Sequence, residues 1–179
     1  MTGNFPFPIQ HYGKTSEIMQ TIVFNPIGVI HSPFNTPEDM PIQPAAAQGV
    51  TGSVELMPEY AAGLADLNGF SHIYLLYFFH LSHGYNLQII PFLDTVPRGL
   101  FATRAPRRPN PIGLSIVEVH EITENIIKIE NVDIIDGTPL LDIKPYVPEM
   151  DAPENCKIGW LTGCISKIKK QKSDKRFSD

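Results

Sequence analysis

No G-x-G-x-x-G follows a strand-like segment in this chain, which excludes the dinucleotide-binding turn of a Rossmann domain. There is no G-x-x-x-x-G-K-[ST], so a P-loop nucleotide triphosphatase is not expected, and neither G-x-S-x-G nor H-E-x-x-H is present, which removes two common hydrolase plans. Long apolar runs are missing too. The longest, Ile73–Phe79, has seven residues, against the roughly 20 that a membrane helix needs, and reads as a buried strand. Cysteine is scarce: Cys156 and Cys164 make a weak case for a disulfide and none for a zinc site. The first residues show no basic region followed by an apolar stretch, so no leader is expected, and a reduced, cytoplasmic setting is the plain expectation. A net charge of −5 argues against coating nucleic acid by bulk electrostatics.

Turns are abundant, with 17 prolines and 13 glycines in 179 residues. The length suits one domain over 21–165, preceded by an arm at 1–20 and followed by a basic tail at 166–179 that contains "KIKKQKSDKR". "TIVFNPIGVIHS" (21–32) predicts a first strand broken by Pro26, and the proline-rich stretch 32–49 predicts a long loop. "GSVELM" (52–57) predicts a strand, and "PEYAAGLADLNGF" predicts a helix with Pro58 in its first turn. The aromatic, branched run 71–82 predicts a central strand, 86–94 a further one, and 112–122 with 125–135 a hairpin. Residues 137–146 predict another strand, and 157–163 an edge strand before a short basic helix. Successive short strands with few helices between them predict a mainly β domain, an antiparallel barrel or sandwich rather than βαβ winding.

Three places carry possible chemistry. His72, His80 and His83 raise the question of a metal. On an alternating strand, however, His83 lies past the end, and an orienting or packed histidine is the favoured reading, with no metal expected. "FATRAPRRPNPIGLS" (101–115) holds Arg104, Arg107, Arg108 and Asn110 among Pro106, Pro109 and Pro111, which fix φ and keep the preceding residues out of the helical region. Arginine presents planar, bidentate donors to carboxylates and phosphates and stacks on bases. A rigid turn with solvated arginines is the bland alternative; the pre-ordered ribbon favours a binding site. Asp136-Gly137 is a turn signal that suits either a plain connection or close approach of a hydroxyl-bearing ligand to the backbone.

"DLNGFSHIYLLYFFH", "GLFATRAPRRPNPIGLS" and "DIIDGTPLLDIKPY", in this order, resemble the TsaA-like, or TrmO-type, family over about residues 22 to 150. The resemblance implies a small, single-sheet antiparallel β-barrel with a few short helices, unrelated to the Rossmann methyltransferases. It implies a homodimer with S-adenosylmethionine held near the subunit junction, and methylation of the N(6) nitrogen of threonylcarbamoyladenosine beside the tRNA anticodon. It places Pro41, Ile42, Gln43, Pro44, His80, Leu81, Arg104, Leu114, Ile134, Ile135, Asp136 and Gly137 on the cofactor. Arg107, Arg108 and Asn110 would face the substrate, and Asp136, Asp142 and His80 stand unranked as acceptors of the proton. Ala105 departs from the family, which more often has serine there, and a basic tail stands where some bacterial members carry a C-terminal domain. A methyltransferase acting on another RNA or a small molecule, and a non-enzymatic nucleotide- or RNA-binding barrel, are the alternatives.

Overall fold

His72–Phe78 buries Ile73, Leu75 and Tyr77 and turns His72, Tyr74 and Leu76 outward, the two-residue alternation of a strand with one face on a core. The same alternation recurs along the chain and closes a sheet on itself. In the computed structural model, which describes residues 21–38, 40–164 and 172–174, eight strands form: β1 (Gly28–His31), β2 (Thr51–Leu56), β3 (His72–Phe78), β4 (Gln88–Ile89), β5 (Arg98–Gly99), β6 (Ile112–Thr123), β7 (Ile126–Glu130) and β8 (Thr138–Pro145). Six of them make a closed, wholly antiparallel barrel in the order β1-β2-β7-β6-β3-β8, and β4 and β5 make a separate ribbon. Closure leaves none of these six strands with an unpaired edge. Ile30, Val54, Ile73, Leu75, Val117, Ile127, Ile129 and Leu140 fill the interior and are almost wholly hidden from solvent.

The β6–β7 hairpin forms, with Glu124 at φ 56° in its turn and a bulge between Val119 and Glu121, but its second strand, expected over 125–135, ends at Glu130, beyond which Asn131 takes φ 66°. Elsewhere the structure trims or replaces the expected elements. β1 begins only at Gly28, after Pro26, and Ile22, Val23 and Phe24 are exposed. The expected helix after Met57 is a pair of 3-10 turns, Pro58–Leu64 and Leu67–Gly69, separated where Asp66 sits at φ 66°. Of the strand expected at 86–94 only Gln88–Ile89 pairs, because Pro91 has no amide to continue a ladder. The edge strand expected at 157–163 is a 3-10 turn, Gly159–Gly163, whose Trp160 Nε1 donates to the Ala102 carbonyl at 2.8 Å. Cys156 and Cys164 are both free thiols.

The arm at 1–20 and the basic helix expected after 165 lie outside the described residues. A described piece of the tail docks: Ser173 N donates to the Met40 carbonyl at 2.9 Å and Ser173 Oγ to that of Pro37 at 2.6 Å. No helix among the described residues is long and apolar enough to cross a membrane.

Candidate functional site

Antiparallel closure decides which connections share a rim. The registers put the ends of β1, β3 and β7 and the starts of β2, β6 and β8 at one rim. That rim therefore receives the connections 32–50, 79–111 and 131–137, whereas the opposite rim receives the β6–β7 turn and the 3-10 crossover at 57–71. Every cofactor residue expected from the sequence lies in one of these three connections except Leu114, which is the third residue of β6 and so stands at the same rim.

Hydrogen bonds tie the connections to one another. At the start of the 32–50 loop, the Phe34 carbonyl accepts from Asp136 N at 2.7 Å, and Ser32 N donates to Asp136 Oδ1 at 3.1 Å. His31 Nδ1 lies 3.3 Å from the same carboxylate oxygen. Further along that loop, Gln43 Oε1 accepts from Arg104 Nη1 at 3.0 Å. Buried Met40 and Ala47 flank Pro41, Ile42, Gln43 and Pro44 and seat them on the barrel while leaving them partly accessible. One loop thus links the arginine ribbon to the Asp136 bend.

The four arginines divide by what they hold. Arg98 grips Asp94 through two nitrogens, at 2.8 and 2.7 Å, and lies over Trp160, which makes it a brace. The Asp94 carboxyl is held below its ordinary range chiefly by that hydrogen bond. Arg108 donates to the Thr103 and Ala105 carbonyls at 3.1 and 3.4 Å, shaping its own loop, and covers the Phe101 ring. Arg107 lines a cavity of about 590 Å³ with Asn86, Gln88 and Thr95. Arg104 is the exposed arginine aimed at the 32–50 loop. Asn110 is exposed and its carbonyl accepts from Ile112 N at 2.8 Å. Ala105, the departure from the family pattern, is buried against the loop.

Around the Asp136 bend, Ile134 is buried, Ile135 is partly so, and Gly137 takes φ +75°, a conformation that explains the glycine. A Cβ there would meet nothing within 4 Å, so backbone stands open to approach. Thr138 Oγ1 donates its one proton to the Ile135 carbonyl at 2.7 Å, so the His80 Nδ1 beside it, at 3.4 Å, faces an acceptor. Burial lowers the His80 pKa and favours the neutral ring. Leu81 and Leu114 are each close to half exposed and supply apolar surface.

Asp142 stands apart from the bend. It lies on the outer barrel wall opposite Leu76, as Leu114 does on the other side, and pairs with Lys144 Nζ at 2.7 Å. The histidines do not gather. His72 begins β3 and His80 follows its end, and His72 bonds Ser71 Oγ at 2.9 Å. Glu118, His120 and Glu130 bring ligand atoms within 4.8 Å of one another on the outer wall, where His120 and Glu130 already pair at 2.9 Å.

One polar group inside the barrel is absent from the sequence reading. Ser115, 2% exposed, donates through Oγ to Asp133 Oδ1 at 2.7 Å. Its only proton being used, the Tyr77 hydroxyl at 3.1 Å donates to Ser115 in turn. Gly113 permits this: a Cβ there would collide with the Tyr77 ring. Burial raises the Asp133 carboxyl to about 6, against opposing effects of the Ser115 hydrogen bond and the Arg104 charge, and pushes the Tyr77 phenol up as well. No short-range motif marks these three residues, since they come from three different segments. Each of the three family motifs contributes one of them, Tyr77 in "DLNGFSHIYLLYFFH", Ser115 at the end of "GLFATRAPRRPNPIGLS" and Asp133 at the start of "DIIDGTPLLDIKPY", which was the available signal.

Residues 29–152 match the family described as tRNA-methyltransferase O N-terminal domain. The chain is 53% identical over 156 residues to a probable S-adenosyl-L-methionine-binding protein of Pyrococcus abyssi, covering 87% of this chain and 85% of that one. It is 37% identical over 140 residues to the tRNA (adenine(37)-N6)-methyltransferase of Escherichia coli, covering 73% of this chain and 60% of that protein. The crystal structure of TrmO from Pseudomonas aeruginosa superimposes with a TM-score of 0.67 at 36% identity, over 79% of this chain and 63% of that one. The chain thus spans less than two thirds of these last two proteins. The closed six-stranded barrel, its loop-bearing rim and these matches together place the chain in the TrmO family.

Proposed function

We propose that the protein is an S-adenosylmethionine-dependent methyltransferase that acts on the N(6) nitrogen of threonylcarbamoyladenosine beside the tRNA anticodon. The observation that carries this reading is the Gln43–Arg104 contact, which joins the arginine ribbon to the loop pinned on the Asp136 bend. This rim offers what such a cofactor needs. Arg104 suits a carboxylate, the Asp136 carboxylate suits ribose hydroxyls, and Gly137 leaves backbone approachable. Leu81 and Leu114 add apolar surface, and Pro41, Ile42, Gln43, Pro44, His80, Ile134 and Ile135 complete the lining. The names of the relatives supply both halves of the proposal, cofactor binding in one and tRNA methylation in the other.

When bound, the cofactor would be held by Arg104, Asp136 and the Gly137 backbone and would supply an electrophilic methyl group on a sulfonium, with neutral thioether as the leaving group. The chain's own task is alignment and proton removal, because the acceptor lone pair is delocalised into the adenine ring and the urea-like carbonyl. Asp133 suits the second task better than the three acceptors expected from sequence. Asp136 is assigned to the ribose hydroxyls, its Oδ1 being held by Ser32 N and His31, and Asp142 pairs with Lys144 on the outer wall. His80 donates its Nδ1 proton to Thr138, and burial lowers the proton affinity of its Nε2. Asp133, with a pKa near 6, is ionised at neutral pH yet basic enough to take a proton, and Ser115 fixes its orientation. Arg107 and Asn110 face the acceptor, while Arg108 shapes the loop that presents them.

A homodimer is part of the proposal. Phe78 opposite Ile112 and Leu76 opposite Leu114 make an apolar stripe on the outer wall beside the rim, with Phe78, Ile112 and Leu114 each more than a third exposed.

Purified protein incubated with methyl-labelled cofactor and tRNA, with and without the threonylcarbamoyl group, tests the function. Label in the modified tRNA alone is the expected result. Label in unmodified tRNA would redirect the proposal to another acceptor. No label, together with a cofactor-dependent rise in melting temperature, would leave a binding module.

A further inference from the structure

The 79–111 connection carries four arginines and a single acid, Asp94, in a chain whose net charge is −5. Arg98 pairs with Asp94, and Arg104, Arg107 and Arg108 are the further arginines of this connection. The connection also exposes aromatic surface: Phe101 is 74% and Tyr85 53% accessible. The β4–β5 ribbon extends by a bond from Leu100 N to the Leu87 carbonyl at 2.9 Å, which sets the Tyr85–Leu87 segment alongside Phe101. One side of the Phe101 ring lies under the Arg108 guanidinium, 5.7 Å from the centroid, and the ring is otherwise open. Next to it is the cavity of about 590 Å³, with the side-chain amides of Asn86 and Gln88 and the Arg107 guanidinium in its wall.

We propose that this ribbon is a subsite for single-stranded RNA, in which Phe101, backed by Arg108, stacks an unpaired base and Asn86, Gln88 and Arg107 read the neighbouring nucleotide. The chemistry is that of unpaired RNA rather than duplex. An exposed ring stacks any splayed base, side-chain amides pair with base edges, and guanidinium groups meet phosphate or a base face. An acidic protein segment would engage the guanidinium groups alone, whereas unpaired RNA also uses the open ring and the side-chain amides. Cofactor residues lie on the same 79–111 connection, at His80, Leu81 and Arg104, so a strand held on the ribbon is brought to the rim where the methyl group is delivered. The inference rests on the reading of an RNA acceptor and names the nucleotides flanking the methylated one as those that the ribbon selects.

Fluorescence anisotropy with a labelled anticodon stem–loop RNA tests it on the full chain, with calorimetric cofactor binding and gel filtration run in parallel. Phe101→Ala removes an exposed ring and is expected to weaken RNA binding roughly 5- to 100-fold, the range for one stacked base. Phe101→Trp is expected to restore it, and cofactor affinity and oligomeric state are expected to stay as in wild type. Gln88→Ala is expected to flatten the preference among stem–loops that differ in the flanking nucleotide. RNA affinity unchanged by Phe101→Ala, while wild type binds RNA, would overturn the subsite and leave the function standing. A change in oligomeric state without loss of RNA affinity would assign the face to a second copy and also overturn it. Wild type that binds cofactor but no RNA would overturn the subsite together with the RNA acceptor.

Discussion

Replacing Asp133 by Asn keeps the shape of the side chain and an oxygen for the Ser115 proton, removes the charge and turns the second oxygen into an NH2 donor. Burial holds the folded-state pKa at about 6, against an ordinary value of 3.8. For an acid whose pKa rises on folding, the native state binds more protons between these two values. Wild-type stability therefore falls as pH rises from about 4 to 6 and is level beyond. Two pKa units correspond to about 3 kcal/mol. The variant escapes that cost. Near pH 4 the two proteins are expected to melt together. At pH 7.5 the Asn protein is expected to melt higher by up to roughly 10 °C, taking about 2–4 °C per kcal/mol for a chain of this size. Methyl transfer is expected to move the other way, falling about 10²- to 10⁴-fold with cofactor affinity unchanged, if the carboxylate accepts the proton. Thermal melts across pH, paired with single-turnover transfer, read both effects. A melting difference independent of pH, or a variant less stable at pH 7.5, would refute the burial argument; full transfer activity would refute the proton-acceptor role.

Arg104→Ala is expected to weaken cofactor binding by roughly 10- to 100-fold in calorimetry, the loss of one charge-assisted hydrogen bond. Unchanged affinity would detach Arg104 from the cofactor and leave it as a clasp on Gln43. Leu114→Arg places a charge in the exposed apolar stripe beside Leu76 and is expected to convert a dimer to monomer in sedimentation. A dimer that survives the change would put the subunit junction elsewhere.

Much of the barrel was legible because strand composition is local. The aromatic and branched residues of the β3 run, the apolar segments of the β6–β7 hairpin and the prolines of the β8 motif mark extended chain by themselves, and each forms near its expected place. The ribbon of prolines was legible for the same reason, since each ring restricts its own φ and its neighbour's conformation. The errors have local causes as well. At 157–163 an apolar segment that reads as a strand is bent by Gly159 at φ 56° and held by Trp160 on the Ala102 carbonyl. After Met57 the positive φ at Asp66 stops the turns from merging into a helix.

What sequence alone determined is the inventory: successive antiparallel strands, one long proline-rich loop at 32–49 and the motifs that carry the candidate residues. Tertiary structure alone decided which of those residues share a site. Closure of six strands fixes which ends meet at a rim, and a bulge between Leu76 and Tyr77 shifts the register against β8. Tyr77, Ser115 and Asp133 become one hydrogen-bonded group because β3 and β6 pair in a single register and the chain after β7 returns past them. Such a meeting depends on contacts between residues far apart along the chain, and no local pattern encodes it.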